Sequence, residues 1–175
     1  LIILNTCHIR EKAAEKIYSE LGRLKKINNK NDKNPKIAVA GCVGQAEGQE
    51  IINRSPIVDL VFGPLTYHQL PEMLESIETD KGFPRKKLVN IEIPDIDKFD
   101  QLKGPRKSLR SISSLLSVQE GCDKFCSFCV VPYTRGVEIS RPASQITKEA
   151  IELIENGAKE IILLGQNVNA WFGRG

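Results

Sequence analysis

Three of the chain's five cysteines, Cys122, Cys126 and Cys129, stand in C-x3-C-x2-C spacing within eight residues. Gly121 precedes them and Pro132 follows, so the surrounding stretch VQEGCDKFCSFCVVPYTRGVEISRP, residues 118–142, reads as a loop able to wrap around one object. The thiolate is the metal-binding form of cysteine. Three thiols held this close are better explained by a metal or cluster than by packing. Cys7 and Cys42 stand apart from this group, each just after a short apolar run, residues 1–4 (LIIL) and 36–40 (KIAVA).

A structural zinc ion takes four ligands. The loop offers three, and the two histidines, His8 and His68, are remote in sequence. A catalytic zinc with three thiolates and a water carries more negative charge than such sites usually do. A 4Fe–4S cluster suits the donor set better: three thiolates hold three irons, and the fourth stays open to a substrate. Chelation of that iron by the amine and carboxylate of S-adenosylmethionine permits one-electron cleavage of the sulfonium C–S bond to a 5′-deoxyadenosyl radical. Zinc has no redox state for that step.

The elements that must carry these residues follow from hydrophobic periodicity. Residues 1–4 form a wholly apolar run, as in a buried parallel strand, and deliver Asn5-Thr6-Cys7 to its C-terminal end, where α/β proteins place ligands. A helix is expected over 10–28, with Ala13, Ala14, Ile17, Tyr18, Leu21, Leu24 and Ile27 on one face. NNKNDKN and Pro35 end it. Strand 36–40, the tip Gly41-Cys42 and a helix over about 45–53 repeat the first pattern. A strand over 58–62 and a helix over 71–78 follow. Strand–helix alternation predicts a parallel sheet with Cys7 and Cys42 at one edge. On spacing alone they are equally well read as ligands or as buried, inert thiols.

Residues 81–110 change character, with nine basic residues against Glu92, Asp95, Asp97 and Asp100, a local balance of +5 in a chain of net +3. Pro84, Pro94, Gly104 and Pro105 interrupt the stretch. It reads as an interdomain linker with extended pieces such as 88–93, either a solvated connector or a surface for RNA phosphates. A strand over 114–119 feeds the cysteine loop. A helix over 143–156 (Ile146, Ala150, Ile151, Leu153, Ile154 apolar; Ser144 as N-cap, Gly157 as C′) and a strand over 159–164 complete a βαβ unit with a long first loop.

The composition is that of a globular protein, 41% apolar and 27% charged over 175 residues. No apolar run approaches the ~18 residues of a membrane helix, so no membrane role is expected. Absence of a signal-peptide pattern leads to an expected cytoplasmic location, where cysteines serve metal or redox chemistry more than disulfides. The chain begins without Met and in mid-strand, and is expected to be a fragment.

The C-x3-C-x2-C loop, with Phe128 just before its last cysteine and a strand and helix on either side, resembles the signature of the radical S-adenosylmethionine enzymes. GCDKFCSFCVVPYTRGVEISRP, LNTCHIREKA, VAGCVGQ, DLVFGPLTYHQLPEML and LLGQNVNAW extend the resemblance to their methylthiotransferase branch, over essentially the whole chain. The run Val130-Val131-Pro132-Tyr133-Thr134-Arg135-Gly136 is most similar to members acting on N6-isopentenyl adenosine.

The resemblance implies an α/β chain: a truncated N-terminal parallel-sheet domain (1–80), a basic linker (81–113) and the first βαβ unit of a partial (β/α) radical barrel (114–175). It implies two 4Fe–4S clusters. Cys122, Cys126 and Cys129 would hold the radical cluster. Cys7 and Cys42 would be the second and third ligands of an auxiliary cluster whose first ligand lies upstream of the chain. Phe128 would flank the adenine of S-adenosylmethionine, and Gly165, Gln166 and Asn167 would contact that cofactor. The expected reaction is 2-methylthiolation of an isopentenylated adenosine beside the anticodon. The implied partners are a tRNA anticodon stem-loop, an electron donor and a sulfur source, with the enzyme monomeric and this fragment inactive alone. Arg135 and Arg141 are read either as contacts to phosphate or cofactor carboxylate or as surface salt bridges. The rivals are sister enzymes acting on threonylcarbamoyl adenosine or on a ribosomal protein, a non-catalytic iron–sulfur or electron-transfer module, and a zinc-binding RNA module.

Overall fold

A computed structural model describes residues 1–9, 11–28, 35–78, 86–93, 99 and 112–173. The chain divides into two compact units, Leu1–Asp95 and Ile96–Gly175.

The first unit is built on four parallel strands in the order β1 (Ile2–Asn5), β2 (Ile37–Ala40), β3 (Leu60–Phe62) and β4 (Leu88–Asn90). β2 and β3 are apolar at every position because both faces of the sheet are covered. Successive side chains point to opposite faces, and the core divides accordingly. Ile37, Val39 and Val61 pack with Ala14, Ile17 and Leu21 of α1 (Glu11–Asn28) and with Val43, Ile51 and Ile52. Ala38, Ala40, Leu60 and Phe62 pack on the other side with Met73 and Ile77 of α4 (Leu70–Glu78).

Three expectations change here. Ile27, assigned to the apolar face of α1, is 52% exposed, so the buried stripe stops short of the last turn. The helix expected over 45–53 is two, α2 (Cys42–Glu47) and α3 (Gln49–Arg54), broken at Gly48. Gly48 has φ 46, in the left-handed region that favours glycine, and a Cβ there would meet Ile91 Cδ1 at 3.2 Å. Residues 88–90, read as a piece of linker, form β4 and extend the sheet, with Leu60 opposite Leu88 and Phe62 opposite Asn90. Three residues are too short to show a period. Most of the basic stretch, including Lys81, Arg85, Lys98, Lys103, Arg106, Lys107 and Arg110, lies outside the described residues, as do Arg10 and residues 29–34.

The second unit pairs β5 (Ser113–Ser117) in parallel with β8 (Glu160–Leu164), Ser113 opposite Glu160 and Ser117 opposite Leu164. The connecting helix α6 (Ala143–Glu155) lays Ile146, Ala150 and Leu153 against Leu116, Val118, Ala158 and Ile161. Ile151 and Ile154, expected in that stripe, are more than half exposed, because spacing 146, 150, 153 already fills the one face that meets the sheet. Ser144 is not the N-cap: the cap is Pro142, with no side-chain cap bond, and its carbonyl accepts from the Ile146 N–H at 3.2 Å. The C-terminus is as expected. Gly157 (φ 101) donates to Ile154 O at 2.9 Å, and Ala158 donates to Leu153 O at 3.0 Å. This pair of bonds is the Schellman closure, sealed by the buried contact of Ala158 and Leu153.

Between β5 and α6 the chain makes an excursion with its own stem. β6 (Gln119–Glu120) pairs antiparallel with β7 (Ile139–Ser140), Gln119 opposite Ser140 and Glu120 opposite Ile139. Within it lies one short helix, α5 (Val131–Arg135). The long first loop of the βαβ unit is thus a lariat with a neck, and the three clustered cysteines lie inside it.

Candidate functional site

Gly121 opens the lariat with φ 78. Its Cα passes so close to the returning strand that a Cβ would fall 1.9 Å from Val137 O and 2.8 Å from Gly136 O. The Cys122 N–H donates to Gly136 O at 3.3 Å, and the Glu138 N–H donates to Asp123 Oδ1 at 2.9 Å, which closes the neck below the thiols. A turn at the tip is held by Cys129 N–H on Cys126 O at 2.9 Å. Phe125 (φ 45) stands just before that turn with its ring edge-on to Tyr133. Cys126 is exposed, Cys122 and Cys129 are half-buried, and all five cysteines are free thiols. Phe128 is 93% exposed, so its ring faces are open to a planar ligand.

The tip of β8 reaches the foot of this loop. Gln166 Oε1 accepts from the Gly121 N–H at 2.6 Å. Gln119 Oε1 accepts from the Asn167 N–H at 3.2 Å. These reciprocal bonds hold Gly165-Gln166-Asn167 against the entrance of the cysteine loop, and a Cβ at Gly165 would meet Gln119 Oε1 at 2.8 Å. Gln119 is buried, and its Nε2 makes no hydrogen bond. Neither glutamine's clamping role has a signal in the sequence, since the partners are more than forty residues apart.

Both arginines are engaged internally. Arg135 reaches back from α5 to Glu120 Oε1 at 2.7 Å, across the lariat. Arg141 is 8% exposed: its Nη1 donates to Ser117 O at 2.7 Å, its Nη2 pairs with Glu149 at 2.8 Å, and its guanidinium lies 5.2 Å from the Phe99 ring. Trp171 Nε1 donates to the Arg141 carbonyl at 3.0 Å. Arg141 is therefore neither a phosphate contact nor a surface salt bridge, but a buried strut between β7 and α6. Arg141→Ala is expected to lower the stability of the second unit by ~3–5 kcal/mol, because the buried ion pair with Glu149 is broken from one side and the Ser117 carbonyl loses its donor. Denaturant unfolding followed by the fluorescence of Trp171, the chain's one tryptophan, checks it. An unchanged midpoint would refute the strut.

In the first unit the sheet brings the other two cysteine segments side by side, as parallel alternation implied. Asn5 is opposite Ala40 in register. The Thr6 N–H donates to Ala40 O at 3.2 Å, and the Val43 N–H to Thr6 O at 3.4 Å. Gly41 (φ 86) permits this approach, for a Cβ would lie 2.3 Å from Asn5 Oδ1 and 2.9 Å from Thr6 O. Cys7 is exposed and Cys42 buried at the start of α2.

Nearby, Tyr18 donates its hydroxyl to Glu47. Its phenol is pushed up to about 12, first by burial and then by the hydrogen bond and charge of Glu47. A raised folded-state value favours the protonated form. This contribution to stability is fully present below the ordinary tyrosine value of 10 and is lost as pH rises toward 12. Tyr18→Phe should therefore flatten the fall in stability between those values; denaturant midpoints against pH measure it.

Among the described residues, no group of three or more His, Cys, Asp or Glu side chains converges on one metal ion. A single zinc needs its thiolates all within ~2.3 Å of one point. An iron–sulfur cluster takes each thiolate on a separate iron, so its ligands need not converge. The donor chemistry of Cys122, Cys126 and Cys129, three free thiols on one glycine-necked loop, fits such a cluster. Cys7 and Cys42 supply only two donors to theirs. No helix among the described residues is long and apolar enough to cross a membrane.

Two family models match separate parts of the chain. Residues 116–174 match the radical SAM superfamily, and residues 1–63 match the family described as uncharacterized protein family UPF0004. Over the whole chain, relatives bearing one name are similar to it. The tRNA-2-methylthio-N(6)-dimethylallyladenosine synthase of Ruegeria pomeroyi is 58% identical over 175 residues. That of Cereibacter sphaeroides is 57% identical over the same length, and that of Bartonella quintana 59% over 179 aligned positions. The chain spans 38% of the length of each of these relatives. The resemblance carried by the cysteine motifs is thereby borne out.

Proposed function

We propose that the chain is part of a radical S-adenosylmethionine tRNA methylthiotransferase, which adds a methylthio group at C2 of an N6-isopentenyl adenosine near the anticodon. The observation that carries this reading is the pairing of two cysteine sites within a chain so similar to enzymes of that name. One site is a three-thiol lariat in the radical SAM segment. The other is formed by Cys7 and Cys42, on adjoining strand tips of the UPF0004 segment. In this reading β5, α6 and β8 begin a (β/α) barrel that later strands would complete.

Cys122, Cys126 and Cys129 would hold one 4Fe–4S cluster, and Cys7 and Cys42 would supply two of the ligands of a second. Bound there, the two clusters supply reductive cleavage of S-adenosylmethionine and sulfur for insertion. The chain's own residues do the positioning. The neck at Gly121 and the Gln166 and Gln119 clamps fix the lariat against the β8 tip. Gly165-Gln166-Asn167 would border the cofactor there, with Phe128 as a stacking face for its adenine. The Glu120–Arg135 pair braces the lariat from within. A cytoplasmic tRNA enzyme served by an electron donor and a sulfur source is consistent with these parts.

Reconstitution of the full-length protein with iron and sulfide should yield two clusters per chain and 5′-deoxyadenosine after reduction. A single zinc without iron would sink the reading. Nucleosides from a deletion strain should lose the methylthio group and retain the isopentenyl group. If threonylcarbamoyl adenosine loses its modification instead, the sister enzyme is the answer.

A further inference from the structure

Glu47 closes α2, the helix that Cys42 opens. Its carboxylate is the meeting point of side chains from three other segments. Tyr18 of α1 donates its hydroxyl to Oε2. Arg54 of α3 comes within 4.0 Å of that oxygen and lies 3.7 Å above the Tyr18 ring. His8, the residue after Cys7, presents Nδ1 to Oε1 at 3.9 Å. That nitrogen is buried and makes no hydrogen bond, so the carboxylate is its polar neighbour.

The break at Gly48 makes the hub possible. In one unbroken helix Arg54 would stand about 10 Å up the axis from Glu47. The left-handed Gly48 turns α3 instead, and its guanidinium returns to the carboxylate. Direct backbone ties between the two cysteine segments are few. Beyond the strand register they are the Thr6 bond to Ala40 and the long 3.4 Å bond from Val43 to Thr6. Neither reaches past Thr6, whereas His8 lies on the far side of Cys7. Cys7 thus lies between Thr6, bonded to the second cysteine segment, and His8, whose Nδ1 faces the Glu47 carboxylate at 3.9 Å.

We propose that Glu47 is a positioning residue for the cysteine pair of the first unit: through His8 and through α2 it sets where the Cys7 thiol stands relative to Cys42. This rests on the proposed reading of that pair as cluster ligands. Glu47 does not bind iron. It acts as an outer-shell group acts on the residues that do, and loss of such groups typically weakens metal retention by ~10–100-fold. Its charge also lies beside the site, so neutralising it should make the cluster there easier to reduce.

The test uses the full-length protein reconstituted with iron and sulfide, as wild type, Glu47→Gln, Glu47→Ala and Cys7→Ala. Bathophenanthroline is the chelator, and the electron paramagnetic resonance signal of each cluster is followed separately. The expected result is auxiliary-cluster loss on the order of 10-fold faster or more in Glu47→Ala. Glu47→Gln, which keeps an acceptor oxygen for Tyr18, should be intermediate with a raised midpoint potential. The radical cluster should decay at the wild-type rate in both. Equal lability and unchanged spectra of the auxiliary cluster in a folded Glu47→Ala protein overturn the inference. So does parallel loss of both clusters, which marks general unfolding. If wild type forms no second cluster, or Cys7→Ala retains it unchanged, the ligand reading itself has failed and the inference falls with it.

Discussion

On the proposed assignment of Cys126 as a cluster ligand, replacing it with alanine in the full-length protein is expected to remove the radical cluster and reduce 5′-deoxyadenosine formation to background, with the fold intact. Cys126 is exposed at the tip of the lariat. The turn it occupies is held by its backbone carbonyl, which accepts from Cys129, and a Cys→Ala change leaves that bond in place. Surface substitutions free of packing roles usually stay within ~0.5 kcal/mol, so the unfolding midpoint of the cluster-free protein should hardly move. The loss is chemical: two thiolates remain where three irons each need one. Iron content should fall from two clusters to one, with the auxiliary cluster's signal retained. Wild-type 5′-deoxyadenosine yields from the variant would remove Cys126 from the site. Comparison with Cys7→Ala, which should spare 5′-deoxyadenosine but abolish methylthiolation, separates the two sites' roles.

Gly121→Ala should do comparable damage by another route. The left-handed backbone costs a non-glycine residue ~1–2 kcal/mol. The added Cβ would also lie 1.9 Å from Val137 O, a distance no relaxation of a side chain can relieve because the obstacle is backbone. The neck between β6 and β7 must open, and the Cys122 bond to Gly136 and the Gln166 bond to Gly121 go with it. A combined cost of ~3 kcal/mol is expected, at the upper end of the range for strained backbone sites. Cluster loading on the lariat should fall steeply. Gly157→Ala is the control. Gly157 is also left-handed, at φ 101, but nothing lies within 4 Å of its Cβ position. It should cost only the ~1–2 kcal/mol of the left-handed backbone and leave loading unchanged. Equal effects of the two substitutions, by thermal melts and iron analysis, would show that the close approach at Gly121 does not matter.

The contrast between these glycines marks the boundary between what could be read in the sequence and what could not. Gly157 is legible as a helix terminator because its signal is local: an apolar stripe that stops, then a glycine. The strand over 36–40 is legible for the same reason, although its division between two core clusters is not. The cysteine loop is legible too, because ligand chemistry is written in residue type and short spacing. Gly121 carries no such mark, since its obstacle arrives from Val137, beyond the loop. Residues 88–93 read as an extended piece of a linker; that 88–90 join the sheet has no local signal, since only the open edge of β3 explains it. The sequence leaves Arg141 open between a ligand contact and a surface salt bridge, because its burial depends on Glu149 and Trp171, which no local pattern places beside it.

The sequence by itself determined the thiols and their grouping, the alternation of strands and helices, and the placement of Cys7 and Cys42 at one sheet edge. Tertiary structure alone decided the lariat's neck, the glutamine clamps at its foot and the Glu47 hub. Each depends on contacts between residues distant in sequence, Cys122 with Gly136, Gln119 with Asn167, Tyr18 with Glu47. Such pairs depend on strand register and on where helices break, and neither is fixed by local pattern.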